Sequence, residues 1–193
     1  MSAAVSTPKK IWTEENLRAL PNDEFSYELV DGELVMSPKN TSIHSIVCGR
    51  IYVQLQAFVI AGRLGSVYGP EMGFWMSNRN CRAPDVSYVS RQRMVEAQFT
   101  PLTPKFFPAV PNLVVEVLSE GNTCREMDDK LRDYFDSGSR LVWLIDPVVQ
   151  RVEVCRSPIN RRRISSRGFL EGEDVLPGFR YRIGDLFKEW DWD

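Results

Sequence analysis

The stretch from Pro111 to Pro147, PNLVVEVLSEGNTCREMDDKLRDYFDSGSRLVWLIDP, limits the possible folds more than any other. Two apolar runs, residues 113–118 and 141–145, have the length and branching of strands buried on both faces. A charged amphipathic segment with helical spacing separates them. Asn122 or Thr123 caps that helix, which is predicted to run to about Ser137 before Gly138. The whole is a strand, helix, strand unit. One residue breaks its pattern: Glu116 lies in the middle of LVVEVL, where an unpaired ionised carboxylate costs on the order of several kcal/mol. It therefore needs a cation, and a metal ion is one candidate.

The rest of the chain supplies elements to pack on this unit. Residues 12–17 read as a short capped helix before Pro21. Residues 25–30 and 33–36 flank Asp31-Gly32, the pair suited to a type I′ turn, and predict an N-terminal β-hairpin. In that register Tyr27, Leu29, Leu34 and Met36 share an apolar face that should pack inward, and Glu28 and Glu33 share the other. A helix over residues 41–61 carries Ile43, Ile46, Val47, Ile51, Leu55, Phe58 and Val59 at helical spacing, with Gly62 ending it. Residues 64–68 and 72–76 are short strand candidates, 77–82 a polar turn, and 84–89 a half-buried strand carrying Asp85. Residues 91–111 predict a helical turn and a long loop, residues 149–155 another strand, and residues 179–181 a last one. With no internal repeat and no linker, residues 1–193 read as one α/β or α+β domain with a mixed central sheet, preceded by a loose tail over residues 1–10.

Composition narrows the chemistry. The net charge is -2 in 193 residues, which gives no global pull toward nucleic acid or anionic membrane. Any polyanion would meet a local patch, and Arg156 to Arg167 is the dense basic run. The four cysteines form no CxxC pair, so zinc-ligand spacing is missing and a reducing compartment is expected. The N-terminus lacks the apolar core of a signal peptide and no segment reaches the roughly 18 apolar residues of a membrane span, so the expectation is a cytoplasmic protein. A single histidine, His44, rules out sites needing several imidazoles. Carboxylates are left to carry most of the polar chemistry.

Asp85 on one strand and Glu116 on another could together hold a hard divalent cation such as Mg²⁺. Side chains on a helix lean toward its N-terminus, so Lys130 could reach back over the end of the strand bearing Glu116. Asp85 in a Pro-Asp pair, Glu116 in an apolar strand and a nearby lysine resemble the PD-(D/E)XK, or restriction-endonuclease-like, superfamily. Within it the chain is most similar to the Uma-two family, which is common in cyanobacteria. The resemblance rests on Tyr27 to Leu34, His44 opening the long helix, Ala83 to Val86, Leu113 to Ser119, Lys130 to Tyr134 and Val142 to Pro147, in that order. It covers roughly residues 10–160.

The resemblance implies a restriction-endonuclease-like core and Mg²⁺-dependent hydrolysis of nucleic-acid phosphodiester bonds, DNA being the first expectation and Mn²⁺ an alternative ion. It makes Asp85 and Glu116 metal ligands, lets Lys130 orient or activate the attacking water, and has Glu28 complete the acidic site, with Glu33 as its rival. The superfamily's motif lysine is replaced by Leu118, and Lys130 takes over its role from the following helix. That leucine also motivates the alternative of an inactive nuclease-fold module that binds nucleic acid or protein.

Blander readings stand beside these. Lys130 fits an exposed helix face with i, i+4 charge pairs, His44 a capping or positioning residue, and the arginine run a solvated loop. A homodimer could form through an exposed strand or the Trp190 and Trp192 tail.

Overall fold

The computed structural model describes residues 11–189 except 22, 24, 39 and 40. In chain order its elements are α1 (Glu14–Arg18), β1 (Phe25–Val30), β2 (Glu33–Pro38), α2 (Ser42–Gly62), β3 (Gly65–Tyr68), β4 (Phe74–Trp75), β5 (Cys81–Arg82) and β6 (Val86–Ser90). They continue with α3 (Arg91–Glu96), β7 (Leu113–Val117), α4 (Cys124–Asp136), β8 (Leu141–Asp146), β9 (Arg151–Cys155), β10 (Arg161–Ser165), β11 (Phe169–Glu171), β12 (Arg180–Arg182) and α5 (Gly184–Phe187).

A six-stranded sheet in the order β10-β9-β8-β7-β6-β3 forms the centre. Its one parallel pair is β7 with β8, because α4 carries the chain back across the sheet between them. One face packs on α2, where Val47, Ile51, Leu55 and Val59 meet Leu113, Val115, Trp143 and Ile145. The other packs on α4, where Met127, Leu131 and Tyr134 meet Val114, Val142 and Leu144. Burial on both faces is why β7 and β8 read as continuous apolar runs, each such side chain contributing about 1.5–3 kcal/mol of transfer free energy. The mixed sheet flanked by helices is the predicted fold class.

The hairpin forms in the expected register, with Asp31 and Gly32 at φ 50° and 77° as a type I′ turn requires. It belongs to a second, four-stranded sheet, β2-β1-β5-β4. Leu29 and Leu34 pack inward on Leu17, Trp75 and Phe106. Met36, expected beside them, is 58% exposed, because it lies at the far end of the hairpin from that small core.

Several other expectations are corrected. The polar turn over residues 77–82 contains β5, which pairs with both β1 and β4. β6 is buried rather than half-buried, since β3 and β7 flank it and both core layers cover it. The arginine run is not all loop; Arg161–Ser165 is β10, the edge strand beside β9. The strands β11 and β12 form a small sheet of their own, of which the sequence marked only the second.

α2 differs in three respects. Its inward face is His44, Val47, Ile51, Leu55 and Val59, while Ile43 and Ile46, predicted for the core, are each 48% exposed. Gly62 is its last helical residue, but the left-handed position falls on Arg63 at φ 52°, and bonds from Arg63 N–H to the Ile60 carbonyl and Leu64 N–H to the Val59 carbonyl close a Schellman turn. By length and composition it could cross a membrane, contrary to the sequence reading. Its inner face is instead core to the central sheet. Trp190 and Trp192 lie outside the described residues.

Candidate active site

The site forms where the two sheets meet, at the C-terminal end of β7. Pairing of Val86 with Val115, continued by one residue, sets Asp85 opposite Glu116. The Val117 N–H then donates to Asp85 Oδ2 at 2.8 Å, tying the carboxylate to the neighbouring strand. β1 delivers Glu28, whose Oε1 accepts from the Ala83 N–H at 3.0 Å. One turn of α4 supplies Lys130, Asp133 and Tyr134, since residues three and four apart share a helix face.

Lys130 joins two of the carboxylates. Its Nζ lies 3.2 Å from Glu28 Oε1 and 3.3 and 3.4 Å from the two oxygens of Glu116. Tyr134 donates its hydroxyl to Glu116 Oε1 at 2.5 Å. Arg82 spans a second pair, with Nη1 3.0 Å from Glu28 Oε2 and Nε 2.7 Å from Asp133 Oδ2. The amides of Asn78 and Asn80 also donate to Asp133, at 2.7 and 2.9 Å. His44 reaches Asp85 from the first turn of α2, its Nε2 3.1 Å from Oδ2.

Four carboxylates, Glu28, Asp85, Glu116 and Asp133, thus surround two cations, Lys130 and Arg82. The imbalance falls on Glu116. Burial raises its carboxyl, Asp85 and Glu28 add to the effect, and Lys130 and Tyr134 offset only part, leaving it at about 7. Glu28 is also pushed up by burial, but Lys130, Arg82 and the Ala83 N–H together hold it below its ordinary value. Burial works against the charge on Lys130, yet Glu116 and Glu28 outweigh it and keep the ammonium more firmly protonated than in water. Tyr134 is held neutral by burial and then by Glu116 and Glu28.

The four residues singled out from the sequence, Glu28, Asp85, Glu116 and Lys130, come together. Glu33, the rival to Glu28, is exposed beside the turn. His44 caps nothing: Thr41 is the N-cap of α2, and His44 turns inward to Asp85 with 4% of its surface exposed. Lys130 is not on a solvated face; its side chain is 18% exposed and lies between two acids. Sequence reasoning passed over Arg82, Asp133 and Tyr134. Asp133 and Tyr134 follow Lys130 at i+3 and i+4, a spacing that could have revealed them, whereas nothing local marks Arg82. Much of the basic run is paired with acids from elsewhere in the chain: Arg156 and Arg162 face Glu173, Arg161 faces Asp128, and Arg163 faces Glu153.

The architecture is that of the restriction-endonuclease-like proteins. A solved structure described as a putative nuclease belonging to DUF820, from Anabaena variabilis, superposes with a TM-score of 0.76 at 19% identity, covering 91% of this chain and 97% of that one. The Uma2 family model, described as "Putative restriction endonuclease", matches residues 14–184, and the chain belongs to that family, as the resemblance implied. No curated protein matches the sequence.

Proposed function

We propose that the protein is a divalent-metal-dependent nuclease that hydrolyses phosphodiester bonds of nucleic acid, DNA first among them, with Mg²⁺ or Mn²⁺ held by Asp85 and Glu116. The observation that carries this reading is the surplus of buried carboxylate around Glu116, set against two cations among the described residues. A hard dication is the group that such an oxygen-rich, negatively charged pocket favours. Asp85 fits it: among the described residues its hydrogen bonds fall on Oδ2, leaving Oδ1 to take an ion, while on Glu116 the ion would compete with Lys130, which holds both oxygens. When bound, such an ion polarises the phosphoryl oxygen and lowers the pKa of its water.

The chain's own residues do the rest. Lys130, held protonated, acts as a fixed cation beside the reacting phosphate and stabilises the charge that builds in the transition state; it is not a general base. Glu28 fixes the ammonium from the opposite side, and Arg82 fixes Glu28. Tyr134 orients Glu116, and His44 with the Val117 N–H orients Asp85. These buried partners hold the reacting groups in place before substrate arrives.

The test is cleavage of plasmid and single-stranded DNA by wild type, Glu116→Gln and Lys130→Met in Mg²⁺, Mn²⁺ or EDTA. Cutting that needs a metal and falls by two orders of magnitude or more in both variants is expected. Metal-independent cutting, or cutting that survives Glu116→Gln, would sink the reading. Leu118 in the usual lysine place favours a second reading, a binding module without chemistry, and metal binding without cleavage of DNA or RNA would select it.

A further inference from the structure

We propose that His44, Cys48 and Asp85 form a second cation site, selective for thiophilic divalent ions of the zinc class and sharing Asp85 with the hard-ion site. His44 and Cys48 are i and i+4 on α2, the spacing that stacks two side chains on one helix face. Asp85 closes the group from the entry to β6. One donor atom from each of the three lies within 4.8 Å of the other two. The imidazole lies between the other two donors, with Nε2 3.1 Å from Asp85 Oδ2 and Nδ1 3.4 Å from Cys48 Sγ, and one of its nitrogens would turn to the ion. Donor pairs around a tetrahedral zinc ion stand about 3.3–3.8 Å apart, given its usual bond lengths, so side-chain rotations of about an ångström draw the 4.8 Å set in to that spacing.

The chemistry of the donors selects the ion. A sulfur, an imidazole nitrogen and one carboxylate oxygen make a poor set for Mg²⁺ but a good one for Zn²⁺ or Co²⁺. Three protein ligands leave the fourth position to water. Burial, and after it Asp85 and Glu116, push the Cys48 thiol up, so the metal itself must drive its deprotonation, and the same negative field draws a dication to it. Cys48 is half-buried rather than sealed, which leaves a way in. On binding, the thiol gives its proton to solvent and the thiolate sulfur takes the metal. Asp85 would then offer one oxygen to each ion, and the repulsion of two dications on one carboxylate lets a thiophilic ion displace the hard one. That consequence rests on the proposed function, whereas the binding itself does not.

Cobalt titration of the full-length chain tests the site without any cleavage assay. Wild type is expected to give a near-ultraviolet thiolate-to-cobalt band that one equivalent of Zn²⁺ bleaches. Cys48→Ser and Cys48→Ala, checked for folding by circular dichroism, should both lose the band and bind Zn²⁺ at least tenfold more weakly, and Cys124→Ser should keep it. Absence of the band in wild type, or its survival in the folded Cys48 variants, overturns the proposal. Displacement of bound Mn²⁺ by Zn²⁺, followed by paramagnetic resonance, supports the sharing of Asp85; Mn²⁺ retained beside bound Zn²⁺ refutes it. A missing cobalt band condemns this site alone, and missing Mn²⁺ binding condemns the nuclease reading alone.

Discussion

Burial sets the Glu116 carboxyl at about 7, above the ordinary 4.5, and this shift has a sign. Below pH 4.5 the folded and unfolded chains both hold the proton and the group is neutral in its effect. Between 4.5 and 7 the unfolded chain loses its proton first, and above 7 the fold bears the full cost of the buried charge, about 3 kcal/mol. Glutamine mimics the protonated form. Glu116→Gln is therefore expected to melt several degrees above wild type at pH 8 in EDTA, and level with it at pH 4, in a thermal unfolding scan. A wild type as stable as the variant at pH 8 would show that Lys130 and Tyr134 fully compensate the charge. The same frustration made Glu116 legible in the sequence, since a carboxylate inside LVVEVL needs a reason. Arg82 gave no such sign: its partners Glu28 and Asp133 are brought to it only by the meeting of the two sheets.

Legibility at the level of elements follows how much of an element's stability is local. β7, α4 and β8 were readable because apolar runs, a cap and helical spacing all lie in one stretch. β5 is two residues long and exists only because β1 and β4 pair with it, so no pattern could announce it. β10 carries three arginines at a sheet edge and only Ile164 to pack on the core, so its pairing with β9 rather than an apolar pattern defines it. The start of α4 is a capping box: the Glu126 N–H donates to Thr123 Oγ1 at 3.2 Å, and the Thr123 N–H donates to Glu126 Oε2 at 2.8 Å. Thr123→Ala removes the first of these bonds and should lower stability by about 1 kcal/mol, read from urea unfolding. Lys130 lies well inside the helix, so Mn²⁺ affinity should change less than twofold, and Thr123→Ser should restore the stability. A larger loss of affinity would mean that fraying at the cap reaches the site.

Across the whole molecule the candidate site is a joint. Glu28 comes from the hairpin sheet, Asp85 and Glu116 from the central sheet and Lys130 from the crossover helix, so Lys130 helps fasten one sheet to the other. The sequence named these four residues, but their mutual distances depend on docking that no local pattern encodes. In the ion-free protein the ammonium offsets charge that the proposed function assigns to a metal, which sets two demands on one residue against each other. Lys130→Met should weaken the ion-free fold by about 3 kcal/mol, because it leaves Glu28 and Glu116 short of a cation. The same loss should tighten Mn²⁺ binding about tenfold, since the acids then face the ion without a competitor. Mn²⁺ would thus raise the melting temperature of the variant more than that of wild type, by the usual linkage of binding to stability. Cleavage should fall all the same, because the cation beside the phosphate is gone. Weaker Mn²⁺ binding in Lys130→Met would mean that the lysine's main work is holding Glu116 in position, and the electrostatic account of its role would then be wrong.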